Sequence, residues 1–419
     1  MSAIAVLGAQ WGDEGKGKVV HLLARDAAMA VRFNGGTNAG HTVVDAEGTF
    51  KFHLIPAGAL YEDCIGVLGN GMVIDPWALT QELKALVRWR ESEPEIFISR
   101  EAHLILPYHP IVEELEGAAD QIGTTRKGIG PAYRDKMART GIRCADLFDP
   151  ELLRGKIETN LNRLKRVWKE SQALQTMDAV ALAAELLELL EPIRERITDT
   201  AALVNRAVDR GELVLFEGAQ GALLDIDFGT YPYVTSSTTT IGGIGVGAGV
   251  PPTKLDRVIG VTKAYTTRVG TGPFPTEEHG RVGERLREIG NEFGTTTGRP
   301  RRCGWLDLVA LRYAARINGF TELALTKIDV LSNFDRVRVA IRYELDGKPL
   351  GDFPSSSWEL ERCVPIYETL DGWGEDISRY RSRDKLPSAV RHYVDFIAEQ
   401  LELPITTISV GPAVMESIG

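Results

Sequence analysis

Residues 3–8 read Ala-Ile-Ala-Val-Leu-Gly, an apolar run that ends in a loop with glycines at 8, 12, 15 and 17, and Gly17–Arg25 beyond it carries helical spacing. A strand without polar alternation must be covered on both faces, the condition of a parallel sheet packed between helices. A glycine-rich turn running into a helix start leaves backbone N–H groups and the helix dipole pointing outward, which favours a phosphate there. Comparable runs recur at Ala30–Phe33, Cys64–Leu68, Leu213–Phe216, Val258–Thr262 and Leu323–Thr326, separated by helical patterns. The alternation predicts an α/β fold with a large, mainly parallel central sheet flanked by helices and helical insertions. About Pro150–Arg210 the chain is rich in Leu, Ala, Glu and Arg, with Leu182, Leu186, Leu187 and Leu190 at helical spacing, so a helical subdomain is expected at about 150–210. The longest low-complexity tract is the glycine-rich run Gly242–Gly249. With no linker, 1–419 reads as one elaborated domain.

The net charge of −10 argues against a nucleic-acid partner, since polyanion binding relies on Lys and Arg to displace counterions. Any anionic ligand must meet a local positive site. The N-terminus lacks the basic flank and apolar core of a secretory signal. No stretch approaches the roughly 18 apolar residues of a membrane span, so a cytoplasmic protein is expected. Cys64, Cys144, Cys303 and Cys363 contain no C-x-x-C pair and read as reduced thiols. The histidines form no H-E-x-x-H motif, so a metal would be a hard cation held by oxygen.

The first loop differs from a standard P-loop, which needs a hydroxyl after its Lys to hold magnesium, because Gly17 and Val19 follow Lys16 and Lys18. It offers Asp13 instead, which can coordinate magnesium or accept a proton; a charged turn capping a helix is the structural alternative. A second polar loop, Asn34–Thr42, follows the strand Val31–Phe33, where open α/β sheets bind ligands, and carries His41 among small residues.

Several separated motifs then resemble one family closely: Trp11-Gly-Asp-Glu-Gly-Lys-Gly-Lys18, Asn34-Gly-Gly-Thr-Asn-Ala-Gly-His-Thr42, Ile122-Gly-Thr-Thr-Arg-Lys-Gly-Ile-Gly-Pro-Ala-Tyr133, Phe216-Glu-Gly-Ala-Gln220-Gly, Val234-Thr-Ser-Ser, Thr295-Thr-Thr-Gly-Arg299-Pro-Arg301-Arg and Thr326-Lys-Ile-Asp329. The chain resembles the adenylosuccinate synthetases along essentially its whole length. The resemblance implies a P-loop-like GTP-binding fold and a GTP-dependent ligation of L-aspartate to IMP through 6-phosphoryl-IMP. It implies Asp13 as the base that takes the N1 proton of IMP, His41 as the acid and Gln220 as a further catalytic residue. One Mg²⁺ per subunit would be held by Asp13 and the Gly40 carbonyl. GTP would meet Gly12, Asp13, Glu14, Gly15, Lys16, Gly17, Lys18, Gly40, His41, Thr42, Arg301, Lys327, Ile328, Asp329, Ser409, Val410 and Gly411. IMP would meet Asp13, Glu14, Gly15, Lys16, Asn38, Ala39, Gly40, His41, Thr125, Gln220, Thr235 and Arg299, with Arg143 supplied in trans by a homodimer. Aspartate would meet Thr295, Thr296, Thr297, Gly298, Arg299, Pro300 and Arg301, Arg being the bidentate carboxylate ligand.

Thr326-Lys-Ile-Asp329 also resembles the guanine-reading tetrapeptide of GTPases. Two departures from the family stand out: Val414 replaces a frequent Arg in the tail, and Pro300 stiffens the aspartate loop. A regulatory GTPase would share the phosphate loop and the tetrapeptide but has no use for the Thr295–Arg301 loop. An ATP-dependent ligase conflicts with the tetrapeptide.

Overall fold

In the computed structural model, residues 2–44, 48–90, 92–117, 123–294 and 298–419 are described. Ten strands form the central sheet: β1 (Ala3–Gly8), β2 (Met29–Arg32), β3 (Ile65–Leu68), β4 (Ile96–Ser99), β5 (Ile197–Thr198), β6 (Val214–Glu217), β7 (Arg257–Lys263), β8 (Glu322–Thr326), β9 (Ile405–Ser409) and β10 (Ser417–Ile418). Their order is β10-β9-β8-β7-β1-β6-β2-β3-β4-β5, parallel throughout except for the terminal β9–β10 pair. Each apolar run read from the sequence is one of these strands, shifted by a residue at most. The short edge strands β5 and β10 carry too few residues for a periodic signal.

Successive side chains of β1 point to opposite faces. Ala3, Ala5 and Leu7 join one buried cluster with Val31, Val67 and Phe216, whereas Ile4 and Val6 join another with Ala30, Leu68, Leu215, Ile259 and Val261. Helix α1 (Lys16–Ala24) covers the second face through Val19, Val20 and Ala24. The expected helical segment contains α2 (Pro150–Val167) and α3 (Ala179–Leu190), and Leu153, Ile157, Leu161, Leu182, Leu186 and Leu190 belong to the same cluster as α1. Helices over Leu308–Asn318 and Ser388–Leu401 cover the first face.

The glycine-rich run forms a helix, Gly242–Ala248, where the sequence showed only low complexity. A Cβ on Gly247 or on Gly71 would run into the Phe33 carbonyl. Glycines therefore let this helix lie directly on the end of β2, at the root of the Asn34–Thr42 loop.

Candidate active site

Loops from the carboxyl ends of β1, β2, β6 and β8 converge on one face. In the first, Gly12, Asp13 and Gly15 have φ of 85°, 59° and 92°, the left-handed region that glycine and aspartate tolerate. The turn is held from inside. The fully buried Glu14 accepts the Gln10 and Gly12 amides at 3.0 and 2.9 Å and the Lys16 ammonium at 2.6 Å. In this arrangement both side chains shape the loop. Lys18 is also turned away from the loop, donating to Ser409 Oγ and the Gly411 carbonyl, each at 2.7 Å. Burial lowers its ammonium to about 8, against the opposing pull of Asp329 and Glu416. Lys18 therefore ties the phosphate loop to the C-terminal segment.

Asp13 remains partly exposed, its Oδ2 2.8 Å from Arg301 Nε. In the second loop, Asn34 accepts the Ala219 amide at 2.9 Å and donates to Ser237 at 3.2 Å, joining the ends of β2 and β6. Asn38 donates to Thr235 Oγ1 at 3.3 Å, so two residues assigned to IMP meet. His41 is buried with its Nδ1 against the Glu217 carboxylate, whose other oxygen accepts the Ala57 amide at 2.8 Å. Burial lowers the His41 imidazole, and Glu217 pulls the other way. With Nδ1 occupied, Nε2 is the ring atom left for a ligand.

Gln220 has φ of 60° and a buried amide with neither Oε1 nor Nε2 hydrogen-bonded among the described residues. Buried amides are normally satisfied, so this one is poised for a ligand. At the end of β8, Thr326 Oγ1 donates to the Glu14 carbonyl at 2.5 Å, which docks the tetrapeptide onto the phosphate loop. Lys327 has φ of 56° and Ile328 is buried. Asp329 Oδ1 is buried without a hydrogen-bond partner among the described residues, and burial raises its carboxyl despite Lys327 and Lys18. Val410 donates to the Glu416 carbonyl at 2.9 Å, and Val414 donates to the Val44 carbonyl at 3.0 Å, so the tail lies along the strand that His41 begins.

No hydrogen bond among the described residues joins Thr125 to Asn38, Thr235 or Gln220. Arg143 is exposed, its amide bonded to Asp146 at 2.8 Å. Thr295, Thr296 and Thr297 lie outside the described residues; Gly298, Arg299 and Pro300 are exposed, and Arg301 is the buried one among the described residues of that loop. Sequence reasoning passed over Glu217 and Glu292, although a charged residue closing an apolar strand was a signal for the first.

A family model described as adenylosuccinate synthetase matches residues 5–418. The chain belongs to the adenylosuccinate synthetase family. The enzymes of that name from Carboxydothermus hydrogenoformans and Geobacillus sp. are 52% and 49% identical to it, each over 98% of this chain and 97% of the relative. The fully ligated adenylosuccinate synthetase of Plasmodium falciparum has a TM-score of 0.94 at 39% identity, covering 100% of this chain and 99% of that one. A cyanophage succinoaminodeoxyadenylate synthetase shares the fold, with a TM-score of 0.63 at 20% identity, over 99% of this chain and 94% of that one. The chain is accordingly a ligase of the adenylosuccinate synthetase family, making adenylosuccinate from IMP and aspartate.

Proposed function

We propose that GTP drives this ligation through 6-phosphoryl-IMP, with the residues of the converging loops in the roles their chemistry suits. The observation that carries the GTP reading is Asp329: a buried carboxylate oxygen without a partner among the described residues, on a tetrapeptide docked to the first loop, suits the N1–H and 2-amino donors of guanine. Asp13 takes the N1 proton of IMP, so its 6-oxygen attacks the γ-phosphate. A phosphate is a far better leaving group than an amide-like oxygen, and the aspartate amine displaces it.

His41 acts as the acid, with Glu217 holding its ring; triphosphate charge near Nε2 opposes the lowering that burial imposes. The unpartnered Gln220 amide, Asn38 and Thr235 orient the purine nucleotide, with Thr125, Arg299 and the Arg143 of a second subunit completing the IMP site. Thr295–Arg301 receives aspartate. The Asp13 carboxylate and the Gly40 carbonyl are hard oxygen donors that fit Mg²⁺, which keeps part of its shell for phosphate oxygens and water. Magnesium there would neutralise charge on the phosphates.

We further propose a single elaborated domain, because α2 and α3 share the buried cluster of α1, and a cytoplasmic homodimer. Among the described residues no helix is long and apolar enough to cross a membrane.

The test is to supply IMP and aspartate with GTP or ATP and follow the absorbance of adenylosuccinate. Turnover with GTP far above that with ATP is expected. Equal rates with both would overturn the guanine assignment.

A further inference from the structure

Glu292 belongs to none of the motifs and to none of the roles assigned above. Its carboxylate is fully buried just after the helix Arg281–Ile289, where the chain enters the loop that carries Arg301. Oε1 accepts from Lys327 Nζ at 2.8 Å, from Lys263 Nζ at 3.3 Å and from the Tyr265 hydroxyl. Oε2 accepts from Arg301 Nη1 at 2.5 Å.

These four donors come from three separate places. Lys263 and Tyr265 lie at the end of β7, Lys327 follows β8, and Arg301 sits on the loop after Glu292 itself. Burial alone would raise the carboxyl, but Lys263, Lys327 and Arg301 outweigh it and hold the group ionised. Stability by itself does not call for such a group, since a buried ion network is often replaced by apolar side chains at no loss. A charged carboxylate adds direction, because each charge-assisted hydrogen bond fixes where its donor points.

The two ends of the network are the informative part. Arg301, held through Nη1 by Glu292, presents Nε to Asp13 at 2.8 Å. Lys327 is held through Nζ by Glu292 and by the Gly290 carbonyl at 2.7 Å, two residues before Asp329, whose Oδ1 has no hydrogen-bond partner among the described residues. One carboxylate thus spans the distance between the reacting end and the base-reading end.

We propose that Glu292 is a positioning residue that keeps Arg301 beside Asp13 and Lys327 beside Asp329 in a single register, so that GTP and aspartate are bound by parts aligned to each other. The inference rests on the GTP and aspartate assignments above. Glu292 touches no substrate and acts only through Arg301 and Lys327. Its loss is therefore read first in the affinities those residues serve; of the groups assigned to IMP, Asp13 pairs with Arg301, whereas Asn38, Thr235 and Gln220 make none of the hydrogen bonds to Glu292.

The experiment compares the wild type, Glu292→Gln and the double variant Glu292→Gln/Lys263→Met in steady-state assays and thermal unfolding. Glu292→Gln weakens charge-assisted bonds to two functional side chains, so the KM for GTP and for aspartate should each rise by about tenfold, and the KM for IMP, which meets the network only through Asp13, should rise less. Lys263→Met removes a buried cation that the neutral amide of the single variant no longer balances. It should return Tm toward the wild-type value while both KM values stay raised. A role in the fold alone gives the opposite pattern: KM values that do not move in the single variant, or that recover together with Tm in the double variant, overturn the proposal. So does failure of both variants to fold, because the carboxylate then serves folding first. A wild type that makes no adenylosuccinate from GTP, IMP and aspartate under the same conditions overturns the assigned function instead.

Discussion

Asp13 holds a left-handed backbone conformation and an ion pair with Arg301 at once, so its replacement must separate backbone strain from chemistry. Asn tolerates that conformation better than Ala does. Both Asp13→Asn and Asp13→Ala are expected to lose turnover by about a hundredfold or more, the scale of general-base catalysis. Only the Ala variant should lose stability, by about 1–2 kcal/mol, from the unfavourable backbone. Activity in Asp13→Asn above a few per cent of wild type, at about the assay limit of such losses, would remove Asp13 as the base. Asp329 invites a different substitution. Its carboxylate can accept from both guanine N1–H and the 2-amino group, whereas an Asn amide offers one acceptor and one donor, the pattern that suits xanthine. Asp329→Asn should lose GTP affinity by about tenfold, the effect of one buried polar group left unpaired. The ratio of kcat/KM for XTP over GTP should rise, and no rise means that Asp329 does not read the base. Both positions were legible because a short motif marks each of them. Glu14 and Lys16 were legible as a motif, but the buried ion pair between them was not, because only the folded turn shows a side chain pointing inward.

At the scale of elements, the helix Leu308–Asn318 begins at a buried N-cap, Asp307, which accepts the Val309 and Ala310 amides at 3.1 Å each and the Tyr343 hydroxyl. Burial raises its carboxyl to about 6, with Tyr343 and the two amides opposing. The ordinary value is 3.8, so the folded state holds more protons on this group than the unfolded state between about pH 4 and 6. Its contribution to stability is present at the acid end of that window and is lost as pH rises through it. Asp307→Asn keeps the cap oxygen and does not titrate. The stability of wild type relative to Asp307→Asn should therefore fall by about 3 kcal/mol between pH 4 and 7, read from urea unfolding of both proteins. A difference that stays flat with pH would mean that the group is not buried as charge. The glycine helix Gly242–Ala248 makes a second case, because Gly247→Ala would drive a methyl group into the Phe33 carbonyl. A loss of about 1–3 kcal/mol is expected, as for an overpacked site, with activity falling as the Asn34–Thr42 loop shifts. Wild-type Tm in Gly247→Ala would show that the contact relaxes freely.

For the molecule as a whole, Arg143 is exposed, and the proposed homodimer with Arg143 acting in trans is the assignment to test. Arg143→Leu should raise the KM for IMP with little effect on GTP. At an IMP concentration well below the raised KM, mixing Arg143→Leu with Asp13→Asn should restore part of the activity, since a hybrid dimer contains one intact site. Absence of rescue, with subunit exchange shown by a tagged partner, would place each site within one chain. Periodicity, turn glycines and short motifs act over a few residues, so the sequence by itself determined the central strands, the helices after residue 150, the glycine-rich turn after β1, the position of the Thr326–Asp329 motif at a strand end and the family. Partner choice acts between segments far apart in the chain, and there the tertiary structure decided. Lys18 meets Ser409 across 391 positions, His41 meets Glu217 across 176, and Asn38 meets Thr235 across 197. Glu292 gathers Lys263, Lys327 and Arg301 only because β7 and β8 end side by side under the loop it opens. The physical reason is that a buried charge is tolerable only where several strand ends bring donors to it, and strand adjacency is a property of the whole sheet, not of any local run of residues.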